Sequence, residues 1–121
     1  MEMQLTFGDV VLEGTLLENP TSRDFCSLLP LTLTLSDYEA TEKVSDLPSH
    51  LSTVDAPDGI NPDIGDITYY APWGNLAIFY RDFDYASGLV KLGHIKSGTE
   101  ILEDVSGEFT VIIEVTDEQT S

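Results

Sequence analysis

Apolar and polar residues alternate through most of the chain. Met3, Leu5 and Phe7 precede a Gly8-Asp9 break; Val10, Leu12 and, after Gly14, Leu16 follow it. A period of two around a Gly-Asp turn predicts a hairpin with one buried face. Between Glu18 and Pro30 the period changes. Phe25, Leu28 and Leu29 stand at i, i+3 and i+4, Asn19 or Thr21 supplies a cap, and Pro20 suits a first turn. That spacing predicts one short helix of roughly eight to ten residues, stopped by Pro30. Alternation resumes at Leu31 to Leu35, then at Glu42 to Val44, Asp66 to Tyr70, Asn75 to Arg81, Leu89 to Ile95 and Phe109 to Val115. Ile101-Leu102 opens a further short element. The longest irregular stretch runs from Leu47 to Asp66 and holds Pro48, Pro57 and Pro62; long loops in small domains are often functional.

About eight strands and a single short helix predict an all-β protein, a closed or nearly closed barrel, since closure removes exposed sheet edges. A chain of 121 residues is long enough for one compact domain and too short for two. The expected domain spans residues 3–115, with a frayed tail over 116–121.

Charge narrows the partners. Asp and Glu number 22 against 5 Lys and Arg, a net of −17. Nucleic acid is not an expected partner, because phosphate binding needs Lys or Arg to displace counterions. An anionic membrane surface is excluded on the same ground, and no run approaches the roughly 18 apolar residues of a spanning helix. The lone Cys26 allows neither an intramolecular disulfide nor a cysteine-based zinc site. Met1-Glu2-Met3-Gln4 lacks a basic region followed by an apolar one, so a cytoplasmic location is expected.

Particular residues sharpen the fold. Val10 to Leu28, a strand running through Asn19-Pro20-Thr21 into a helix with Phe25, resembles the second strand and first helix of cyclophilins. Gly88 to Gly98 is similar to a late strand of that family. More specifically, Gly65-Asp66 followed by Tyr69, Pro72, Leu76, Ile78 and Phe79, and then by Leu92-Gly93 and Ile95, resembles a family of small bacterial cyclophilin-like domains. The resemblance covers about residues 3 to 115 and implies a closed eight-stranded barrel capped by the helix. It does not carry over prolyl isomerase activity. Cyclophilin catalysis uses an Arg that hydrogen-bonds near the prolyl nitrogen and weakens amide resonance, the source of a barrier of about 18–20 kcal/mol. The arginines here are Arg23 and Arg81, the glutamines Gln4 and Gln119, the methionines Met1 and Met3. None stands where that catalytic stretch requires. Aligned on Gly93, the cyclophilin active-site His position falls on Leu89 and the Trp position near Asp84 and Tyr85.

The segment Tyr69 to Asn75 is the richest in chemistry, with three large aromatics and an amide around a turn. Such rings, apolar with a polar tip, suit a pocket rim, although Tyr69 and Trp73 could equally fill the barrel core. Alternation lets only one of Tyr69 and Tyr70 point inward, and Tyr70 is assigned to the cleft. Arg23 and Lys43 are rare cations that an anionic ligand would need; the plainer reading is a surface ion pair with Asp24 or Glu42, and Arg81 reads the same way. Asp55, Asp58, Asn61, Asp63 and Asp66 share one loop, but their spacing is not that of an EF-hand, and a solvated acidic loop explains them. His50 and His94 lack matched partners for a metal. Cys26 reads as a small buried hydrophobe. No nucleophile elbow, phosphate-cradling loop or His-Glu-x-x-His is present, and no cofactor is called for.

The leading expectation is therefore a barrel that binds a small ligand or peptide in a cleft near Tyr70, Trp73, Asn75 and Phe79, with Arg23 and Lys43 as candidate anion contacts. A prolyl isomerase with a rebuilt site and an acidic interaction module are the alternatives. The sequence leaves the oligomeric state open.

Overall fold

A computed structural model describes residues 1–105 and 107–116. Of the expected tail, all but Thr116 lies outside the described residues. The chain runs β1 (Glu2–Phe7), β2 (Val10–Leu16), α1 (Pro20–Cys26), β3 (Leu31–Tyr38), β4 (Glu42–Asp46), β5 (Gly59–Ile60), β6 (Asp66–Tyr70), β7 (Asn75–Phe79), β8 (Ala86–Ser87), β9 (Leu89–Ile95), α2 (Glu100–Asp104) and β10 (Phe109–Val115). Eight strands close a barrel in the order β1-β10-β3-β4-β7-β6-β9-β2, every neighbouring pair antiparallel. β5 and β8 pair separately as a two-stranded ribbon.

The hairpin at the start behaves as its alternation requires. Met3, Leu5, Phe7, Leu12 and Leu16 are buried, and their partners along the strands are not. They meet Leu33, Leu35, Ile67, Tyr69, Leu76, Ile78, Leu92, Val111 and Ile113 in one core. Phe25 from α1 and Leu102 from α2 join that core. α1 begins as the sequence indicates: the Asn19 side chain accepts from the Ser22 amide at 2.7 Å, and Pro20 occupies the first turn. It is shorter than its spacing suggests. Leu28 and Leu29 pack on the core from beyond its end, because the helix closes at Cys26. The short element at Ile101-Leu102 is the helical turn α2.

The middle of the chain departs from simple alternation. β7 is buried at all five positions and β6 at four of five. A strand covered on both faces has something packed outside the barrel wall. Here that is a second, smaller cluster of Ala77, Phe79 and Leu89, with Val44, Ile60, Tyr70 and Ala86 against it. Ile60 and Ala86 belong to the β5–β8 ribbon, so the irregular stretch after Leu47 and the segment after Phe79 fold back over the outer wall.

Candidate functional site

Cross-strand register builds the site. On the outer face of β3, β4 and β7, Tyr38, Glu42 and Phe79 stand opposite one another in a row. Four residues along, Asp46, Asn75, Tyr70 and Leu89 form a second row across β4, β7, β6 and β9. Val44 and Ala77, both small, pair between them. Two rows of larger side chains flanking a low one leave a groove of about 370 Å³. Trp73 from the β6–β7 turn, Phe83, and Ala86 and Ser87 of β8 raise its walls. The turn that presents Trp73 is held by Gly74, whose amide donates to the Tyr70 carbonyl at 2.9 Å. Gly74 sits at φ +67° with the His50 ring against it, and a Cβ there would lie 2.7 Å from that ring.

The rings are ordered. Tyr38 and Tyr70 each meet Trp73 edge-on, with centroids 5.9 and 5.3 Å away and planes at 81° and 84°. Phe79 and Phe83 pack at 5.8 Å. Trp73 is nonetheless 59% exposed, and Tyr38 and Phe83 are exposed too. These rings form a contiguous, partly exposed aromatic patch along the groove.

Polar groups in the groove are few. Glu42 is half-buried, and burial, reinforced by the charge of Asp37, pushes its carboxyl up to about 7. Asn75 is 6% exposed, and its Oδ1 accepts no hydrogen bond from any described residue. Such an acceptor is costly unless something donates to it.

A family model described as the cyclophilin-like family matches residues 5–114. The chain belongs to the cyclophilin-like family. Among solved structures it is similar to the solution structure of the hypothetical protein AF2241 from Archaeoglobus fulgidus. That likeness has a TM-score of 0.72 at 19% identity and covers 96% of this chain and 95% of the other. It is also similar to the structure of McbB in complex with tryptophan, with a TM-score of 0.65 at 8% identity, over 98% of this chain and 46% of that one. Identities this low carry the shared fold alone. No curated protein matches the chain in sequence.

In this cyclophilin-like barrel the structure brings together Tyr70, Trp73, Asn75 and Phe79, and separates both candidate cations from them. Lys43 corrects the expectation of an anion contact or a surface ion pair. It is 1% exposed and points into the barrel. Its Nζ donates to the Val105 carbonyl at 2.7 Å, lies 3.3 Å from Asp37 and sits over the rings of Tyr80 and Phe109. The physical reason is register: Glu42 and Val44 take the outward positions of β4, which leaves Lys43 inside. Arg23 is exposed on α1 and lines a separate hollow with Met1, Leu17 and Cys26. Arg81 pairs with Glu103 at the surface.

Asp66 also differs from the solvated acid expected of it. It is buried at the start of β6, accepts from the Asp63 amide at 2.9 Å, and meets Lys91 at 3.1 Å and His94 at 2.8 Å. Sequence reasoning missed Glu42, Tyr38 and Phe83 as groove residues. The signal for Glu42 was available only through pairing, because it becomes notable when β4 places it between Tyr38 and Phe79.

Proposed function

We propose that this cyclophilin-like protein is a binding domain that holds a small organic molecule or a short peptide segment in the outer-wall groove. The observation that carries this reading is the groove itself. It has about 370 Å³ of space walled by Tyr38, Tyr70, Trp73, Phe79 and Phe83, with Glu42 and Asn75 as the polar groups most confined in it. That size and that sparse polarity are what ligand sites favour. A structure of the same fold holds tryptophan, which makes aromatic amino acids a sensible part of any ligand panel.

The test is direct because Trp73 is the single tryptophan of the chain and stands at the rim. A panel of metabolites and short peptides is titrated while Trp73 fluorescence and melting temperature are followed. A true ligand changes the emission and raises the melting temperature in a saturable way. Trp73→Ala keeps the fold and removes the thermal shift. A shift unchanged in Trp73→Ala would refute the groove as the site.

A further inference from the structure

Resting on that reading, we infer that the groove is selective for the ammonium head of an organic amine, held between Glu42 and the aromatic walls. Charge comes first. Glu42 carries the ionisable carboxyl of the groove lining, and among the described residues no Lys, Arg or His lines it. The nearest cation in sequence, Lys43, is turned through the wall and held by Val105 and Asp37. An anionic ligand would meet a carboxylate with no counter-charge, on a chain of net −17. A wholly apolar ligand would strip water from Glu42 and give nothing back, and a buried carboxylate without a partner is costly.

Shape agrees with charge. Tyr38 and Phe79 flank Glu42 directly in the cross-strand row, so aromatic surface begins at the carboxylate. Tyr38 and Tyr70 stand nearly perpendicular to Trp73, which directs aromatic surfaces along more than one axis around the same space. Ring faces attract a cation lying within about 6 Å of the centroid, most strongly when it is partly dehydrated. The amine thus satisfies the carboxylate and the rings together.

Three probes of one shape test this: 2-phenylethylamine, a cation; 2-phenylethanol, neutral; and phenylacetate, an anion. Each is titrated by Trp73 fluorescence and calorimetry at constant ionic strength and at about pH 8, where Glu42 is ionised. The amine is expected to bind about tenfold more tightly than the alcohol, about 1.4 kcal/mol, and phenylacetate more weakly than either. In Glu42→Gln the amine loses that advantage, while the alcohol and phenylacetate bind no more weakly than to the parent, with circular dichroism confirming the fold. A blocked tripeptide with a central lysine, run beside the free amine, tells which source of ammonium the groove prefers. Equal affinity for all three probes, or a preference that survives Glu42→Gln, would overturn the ammonium assignment and leave groove binding standing. Failure of every probe to bind at millimolar concentration would overturn both.

Discussion

Glu42 and Lys43 are consecutive in β4 and lie on opposite sides of the barrel wall. Glu42 faces the aromatic groove, and Lys43 is sealed inside against Val105, Asp37, Tyr80 and Phe109. A pair that reads in sequence as neighbouring surface charges is split by the strand period into a groove-lining group and a core group. Their substitutions therefore have different consequences.

The Glu42 carboxyl is raised in the folded state from its ordinary 4.5 to about 7. The folded chain holds this proton more tightly than the unfolded one. Its contribution to stability is fully present below about pH 4.5 and lost as pH rises through 7. Glu42→Gln removes the titration. The variant is expected to gain about 1 kcal/mol over the parent at pH 8, a modest figure because water screens a half-buried group, and much less at pH 4. Urea unfolding at the two pH values measures this; an equal difference at both would contradict it.

Lys43→Ala strips the donor from the Val105 carbonyl and leaves Asp37 with Tyr80 and the Ala40 amide as its partners. It also opens a cavity beneath Phe109. A loss of about 2–3 kcal/mol is expected, from the deleted buried side chain and the unpaired Val105 carbonyl. Because the side chain does not reach the groove, ligand affinity measured on the folded fraction stays within about twofold. A large affinity change with intact stability would mean that Lys43 serves the site.

Gly88 joins the ribbon to β9 at φ +85°, and a Cβ there would lie 2.7 Å from the Pro72 ring. Gly88→Ala forces both a left-handed backbone on alanine and a clash against a rigid ring. It is expected to cost about 1–3 kcal/mol and to loosen the wall that carries Ala86 and Ser87. Thermal denaturation reads the first effect, and weaker probe binding the second.

Catalysed prolyl isomerisation is expected to stay at background. Neither Arg23 nor Arg81 lines the groove, so no guanidinium is placed to weaken the resonance of a bound prolyl amide. A coupled cis/trans assay on a proline peptide checks this, and saturable acceleration would reject it.

Legibility in the sequence tracked how many faces of a strand were covered. β1, β2, β3 and β10 are covered on one side, their apolar residues alternate, and both location and orientation could be read from the chain. β6 and β7 are covered on both sides, so Asn75 to Phe79 show no alternation of burial. There the sequence indicated strands without saying which side held a site. Tyr69 and Tyr70 illustrate the limit. The period requires them to diverge, and the assignment of Tyr70 outward came from the richness of the turn rather than from the pattern. In the structure Tyr69 is buried, its hydroxyl accepting from the Leu51 amide at 3.0 Å. For Lys43 and Asp66 composition misled, because a charge in an acidic chain reads as solvated until its burial partners are known.

By itself, the order of apolar residues determined that the chain makes a β-barrel with a capped helix after its second strand, since period and turn chemistry are local properties. Which outward residues form a site was decided only by tertiary structure. The groove exists because β3, β4, β6, β7 and β9 close side by side in one register, and because the β5–β8 ribbon returns over them. Those are contacts between residues far apart in the chain, and no local pattern encodes the distance between them.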